Sequence, residues 1–286
     1  LAYDDIGTFE QKQSFPEGIN GWVRNMNEQI IALRTGKLEP RKGADIEWRK
    51  IRGLIKVTTV RGPSLLIEEP PPECPPTFTN SVNPLMPSIT WSQGCYYNEL
   101  LPACAECSQC QRLWAGCGPI AIAQVMKYWQ HPTIHPWASM PDALYSSHLP
   151  TANAITNVFL LSGVITFGNA GTAMPEGNIP NTFRQMGYSS ARIVSYDGSI
   201  DPLVRNNLNA NRPVIFTGWV NIFNAHIWVC DGYRYYLASC GYEALYYHMN
   251  WGWGGYANGM YLNSNWNSPQ GNYSNMWRNA VIDIYP

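Results

Sequence analysis

Charge is scarce in this chain. Only 14% of its 286 residues are Asp, Glu, Lys or Arg, and the formal net charge is -1. Gripping a nucleic acid takes a basic face that releases phosphate counterions, and this composition offers none. Long apolar runs are missing as well: no stretch approaches the roughly 18 residues that a membrane-spanning helix needs. The whole chain holds five histidines, so few groups can move a proton near neutral pH. It starts on Leu1 rather than methionine, which predicts a targeting segment trimmed upstream, as in an exported protein. No repeat period of about 20 to 50 residues is visible, which argues against a solenoid or propeller.

Core-forming residues are plentiful. Hydrophobic side chains make up 45% of the chain and aromatics 13%, enough for one large domain or for a domain with a smaller appendage. The texture changes once. In "INGWVRNMNEQIIALRTGK", Ile19, Trp22, Val23, Met26, Ile30 and Leu33 recur at three- and four-residue spacing, predicting an amphipathic helix that ends near Gly36. "LIKVTTVRG" and "SLLIEE" then favour short strands. Seven prolines crowd residues 68 to 88, too many for a helix or a central strand, so this stretch reads as an extended, exposed connector. The boundary is placed inside it, giving a first domain over 1–84 and a second over 85–286.

The second domain begins with helices and ends with strands. Helices are expected over 118–129, at the start of "TANAITNVFLLSGVITFGNA", in "IPNTFRQMGY" up to Gly187, and in "DPLVRNNLNANR" before a break at Asn211 and Pro213. "PVIFTGW", "AHIWVCDGY", "ALYYHMNW", "GMYLN" and "NAVIDIY" read as strands between Gly and Asn turns. That order predicts an α+β fold with an antiparallel sheet.

Eight cysteines are present, an even count that suits an exported, disulfide-bearing protein. Cys95, Cys104, Cys107 and Cys110 lie close together, and "CAECSQC" has the two-residue gaps of zinc sites, although no histidine is near. A loop with one or two disulfides or free thiols is the more ordinary reading.

Cys117 stands apart. In "GCGPIAIAQVMKYW", Pro119 is expected at the first helical position, and Gly116 and Gly118 free the backbone around the thiol. A thiol at a helix N-terminus faces unpaired N–H groups and the positive end of the helix dipole, which favour the thiolate. The same backbone can supply an oxyanion hole. A nucleophilic thiol needs a base. His131 and His135 flank a proline-rich loop, and their spacing is not a helical zinc-peptidase pair; His148 sits in a turn. His226 opens an apolar strand, where alternation puts it on one face with Trp228 and Cys230. His248 is similarly placed one strand later, and position does not choose between the two.

Four segments, "WSQGCYYNELLP" (91–102), "GCGPIAIAQVMKYW" (116–129), "AHIWVCDGY" (225–233) and "HMNWGWGGYANGMY" (248–261), together resemble the streptopain family of papain-like cysteine peptidases, which includes interpain. The resemblance implies a two-lobed papain-like fold, with a central helix on one lobe and an antiparallel sheet on the other, preceded by a small α+β pro-domain. It implies Cys117 as nucleophile, His226 as general base and acid, and Gln93 with the Cys117 N–H as oxyanion hole. Trp251 would pack beside the histidine and Asn250 would orient it. No metal or cofactor is implied. The expected partners are protein or peptide substrates and the chain's own pro-domain, acting as an intramolecular inhibitor until it is cut within about 66–88. The expected location is secreted or at the surface of a bacterial cell.

Three features depart from the family. The distance from Cys117 to His226 is short, the cysteine-rich run between Gln93 and Cys117 is additional, and Ile227 stands where a smaller residue is common. Two other classes are carried alongside: a catalytically idle papain-like binding or inhibitor module, and a zinc-binding interaction protein built on the cysteine cluster.

Overall fold

The computed structural model of the protein describes residues 76–286 apart from 222, 223 and 239, all within the compact unit Leu65–Pro286. The expected amphipathic helix over 19–36 and the strands at 54–62 and 64–69 lie outside the described residues.

Four α-helices occur among the described residues. α1 spans Cys117–Trp129 and is buried from Gly118 to Met126. Its alanines, isoleucines and Val125 leave no polar stripe apart from Gln124, so it sits inside the fold rather than on it. α2 (Leu149–Leu161) is capped by His148, whose Nδ1 accepts from the Thr151 N–H at 3.3 Å. α3 covers Asn178–Gln185 and α4 covers Asp201–Asn209, with Pro202 in its first turn.

The main sheet has seven strands: β1 (Pro76–Val82), β2 (Arg192–Ser195), β3 (Val214–Asn221), β4 (Asn224–Ala238), β5 (Glu243–Asn250), β6 (Gly259–Leu262) and β7 (Arg278–Ile282). They run antiparallel in the order β2-β7-β3-β4-β5-β6. β4 is 15 residues long and organises the rest. Its first half pairs with β3, as in Gly218↔His226, and its second half pairs with β1 along the same edge, as in Val82↔Tyr233.

The proline-rich stretch therefore differs from expectation in its last part. Residues 76–82 are extended but not a free connector, because they are a strand of the sheet. The reason is local. Pro76 occupies the first strand position, where a missing donor is tolerated, and "TFTNSV" then offers N–H groups and β-favouring side chains. Beyond the strand, the Leu85 N–H donates to the Asp231 carbonyl and the Met86 N–H to Asp231 Oδ2, each at 2.8 Å. β2 and the second half of β4 were also not expected from the sequence.

Strand alternation covers the sheet on both faces. Ile215, Ile227, Val229 and Val281 pack with Ile120, Ile122 and Val125 of α1. Phe216, Trp228, Tyr247, Met249 and Ile282 enter a second core with Trp251, Trp266 and Tyr273. Within it Asp201 accepts from Tyr196 Oη (2.6 Å), Tyr247 Oη (2.7 Å) and Asn263 Nδ2 (2.6 Å). Asp201→Ala strands three polar groups and is expected to cost about 3 kcal/mol of stability. Urea unfolding checks it; a loss under about 1 kcal/mol shows that the network is not needed for stability.

Candidate active site

The geometry around Cys117 starts with Gly116. Its φ of 85° is costly for other residues, and a Cβ there would meet Thr172 Cγ2 at 3.0 Å. That turn makes Cys117 the first helical residue. Pro119 is consequently the third residue of α1 rather than the first, a position still inside the turn whose N–H groups have no intrahelical partner.

Cys117 is half-buried, and its thiol lies beside the backbone N–H groups of Ile227 and Gly118, which favour the thiolate. Burial outweighs these donors and pushes the thiol above its ordinary value, the reverse of the shift expected from the helix terminus alone. The contact to Ile227 places the thiol beside the strand residue that follows His226. Both Cys117 and His226 line one cleft of about 600 Å³.

His226 is 5% exposed. Its Nε2 lies 2.8 Å from the Trp251 carbonyl oxygen. A carbonyl only accepts, so Nε2 carries the hydrogen and Nδ1 is left with its lone pair. Rings surround the imidazole: Trp253 at 4.8 Å, Tyr273 at 5.4 Å, Trp228 at 5.8 Å and Trp251 at 6.0 Å between centroids. This desolvation lowers the His226 pKa to about 4, against the opposing pull of the Trp251 carbonyl. Tyr273 approaches so closely because the residue opposite His226 is Gly218, where a Cβ would fall 2.3 Å from the Tyr273 carbonyl oxygen.

The other expected site residues have distinct positions. Trp251 is fully buried, stacked at 12° on Trp253. Asn250 does not orient the imidazole directly. Its Nδ2 donates to the Ile89 carbonyl (2.7 Å) and its Oδ1 accepts from the Gly252 N–H (3.2 Å), which fixes the turn that presents the Trp251 carbonyl. Gln93 is half-buried, and its backbone carbonyl accepts from the Ala115 N–H at 3.0 Å, two residues before Cys117. His248 is remote in role: its Nδ1 pairs with buried Asp231 at 2.6 Å.

The residues that sequence reasoning missed are Trp253, Tyr273, Glu176 and Thr217. Trp253 was readable in "NWGWGG", two positions after Trp251; nothing in the sequence brings Tyr273 to the His226 ring or Glu176 to the cleft.

The cysteine cluster is cross-linked as Cys95–Cys110 and Cys104–Cys107. Cys104, Glu106 and Cys107 converge within 4.8 Å, but paired sulfurs offer no thiolate, so the zinc reading fails here. The cross-linked loop instead supports a cleft wall, the short hairpin of Ile165–Thr166 and Thr172–Ala173. Ser108 donates to Asn169 Oδ1 through N (2.9 Å) and Oγ (3.1 Å), and Thr172 Oγ1 donates to the Trp114 carbonyl at 2.6 Å.

Comparison with known proteins agrees with this architecture. The chain is 22% identical over 308 residues to the thiol protease/hemagglutinin PrtT of Porphyromonas gingivalis, covering 92% of this chain but 31% of that relative's length. Among solved structures, active wild-type interpain A cysteine protease of Prevotella intermedia superposes with a TM-score of 0.60 at 22% identity, covering 72% of this chain and 96% of that one. A prointerpain A fragment of the same organism superposes with a TM-score of 0.58 at 19% identity, covering 96% and 86%. The fold is thus the papain-like α+β fold expected from the sequence. The pattern of the Peptidase C10 family matches residues 91–136 and 134–261, more than half of the chain, and on that ground the protein belongs to the peptidase C10 family of cysteine peptidases.

Proposed function

We propose that the chain is the latent precursor of a cysteine endopeptidase that hydrolyses peptide bonds in proteins through Cys117 and His226. The observation that carries this is a single cleft holding a half-buried thiol at a helix start and a histidine whose Nε2–H is committed to a carbonyl. Nδ1 is then the nitrogen free to take the thiol proton.

Each burial shift alone favours the neutral form, so thiolate and imidazolium form together, each stabilised by the other in a dry site. The thiolate attacks the scissile carbonyl and forms a C–S bond as the carbonyl π pair moves to oxygen. The oxyanion is held by the Cys117 N–H and the Gln93 side chain, one such donor being worth about 3 kcal/mol. His226 returns its proton to the leaving amine, and water then cleaves the thioester with His226 again as base.

Residues N-terminal to the catalytic domain act as an inhibitory pro-domain, removed by proteolysis after export to the cell surface or beyond. The pairing of β1 narrows the cut from 66–88 to the part before Pro76, because a paired strand resists a protease that needs extended free backbone.

Three tests follow from this reading. Incubated with a mild reductant at neutral pH, the wild-type chain is expected to shorten to a species whose amino terminus lies between Leu66 and Pro76, and to gain hydrolysis of a protein substrate; Cys117→Ala does neither. An intact wild type that stays inert after a glutamate-specific protease has nicked the segment at Glu68 or Glu73 supports the idle binding module instead. Gln93→Ala is expected to lower kcat about a hundredfold with little change in KM; an unchanged kcat removes Gln93 from the oxyanion hole. The acid limb of kcat/KM is set by protonation of Nδ1, so activity is lost as pH falls through about 4. Trp253→Ala admits water, stabilises the imidazolium and moves that limb up toward the ordinary histidine range of about 6.5. A limb that does not move shows that Trp253 does not shield the ring.

A further inference from the structure

The cleft is apolar on most of its surface, with Ile165, Phe167, Met174, Pro175 and Trp219 in its walls. Among the described residues lining it there is no lysine or arginine and one carboxylate, Glu176. Glu176 lies in the segment leading into α3 and is half-buried. Its Oε2 accepts from Thr217 Oγ1, and Thr217 Oγ1 accepts from Asn279 Nδ2 at 3.3 Å. Thr217 is 1% exposed, so this chain of hydrogen bonds roots the carboxylate in the sheet.

The location matters for catalysis. Thr217 is the cross-strand partner of Ile227, and its neighbour Gly218 is the partner of His226. Opposed residues of antiparallel strands lie about 5 Å apart, so the carboxylate stands within one or two substrate residues of the candidate dyad. Among the described residues only Thr217 bonds its carboxylate, and no described lysine or arginine pairs with it. A carboxylate facing an apolar cleft is costly unless a cation meets it, and a neutral Gln could satisfy Thr217 equally well.

The geometry points to Glu176 as a specificity determinant: it selects a lysine or arginine side chain near the scissile bond of the bound peptide. This rests on the peptidase reading above. A free peptide amino terminus is a cation too, and capping the probe separates the two sources.

The test uses the full chain under the maturing conditions above and a pair of N-acetylated peptidyl acyloxymethyl ketones. These differ only in carrying lysine or norleucine, at each of the two residues before the warhead in turn. Alkylation of Cys117 is followed by intact mass. The lysine probe is expected to react at least about tenfold faster than norleucine at one position, the scale of one charge-assisted contact. Glu176→Gln should bring that ratio close to one, and Glu176→Lys should favour a glutamate probe over lysine. Equal rates for the two probes in the wild type overturn the proposal while leaving the peptidase reading intact. A preference that survives Glu176→Gln, or one seen only with uncapped probes, also overturns it. Failure of both probes to label Cys117 at all sinks the peptidase reading, and the proposal with it.

Discussion

The hydrogen bond from His226 Nε2 to the Trp251 carbonyl fixes the imidazole tautomer on which the proposed chemistry depends. It commits one ring nitrogen, leaves the other with a lone pair, and does so with a backbone group that cannot titrate. A carboxylate in that place would hold the imidazole charged; a carbonyl only steers it. Everything around the bond serves to keep the carbonyl where it is. Asn250 ties its turn to Ile89 and Gly252, the Trp251 N–H donates to Asn258 Oδ1 at 3.0 Å, and four aromatic rings keep water from competing. The imidazole is positioned by covalent neighbours and packing, so its alignment is inherited from the sheet.

That sheet carries its function through alternation along β4. Odd and even positions enter different cores, one built around α1 and one of stacked aromatics. His226 and Trp228 share the aromatic side. Ile227 faces the helical side, and its backbone touches the Cys117 thiol. Two adjacent residues of one strand thus address the two halves of the site, and a one-residue slip would exchange their faces.

Much of this was legible in the sequence, for identifiable reasons. α1 to α4 and five of the seven sheet strands announced themselves through apolar periodicity bounded by Gly, Pro and Asn, which are local signals. β1 did not, because its pairing with β4 joins residues more than 150 positions apart and its prolines masked the run that follows them. Cys117 could be picked out as a thiol at a helix start, whereas position left His226 level with His248 and the family resemblance made the choice. Asn250 was seen as a member of the site, but only coordinates distinguish a side chain that touches the ring from one that holds its neighbour. Glu176 and Tyr273 carry no motif at all. They join the site through the turn before α3 and the loop before β7, and no periodicity encodes where such loops go.

The paired cysteines behind the cleft wall set two opposing redox demands on one molecule. The wall rests on cystines, which persist where oxidants prevail, whereas the thiol facing it must stay reduced to play the role proposed for it. A redox poise reducing enough to open the cross-links would loosen the floor beneath Asn169 and Thr172, and one oxidising enough to preserve every cystine exposes Cys117 to sulfenic acid. The proposed chemistry is therefore suited to a bounded redox window, with an upper edge set by the Cys117 thiol and a lower edge set by the loop that shapes its surroundings.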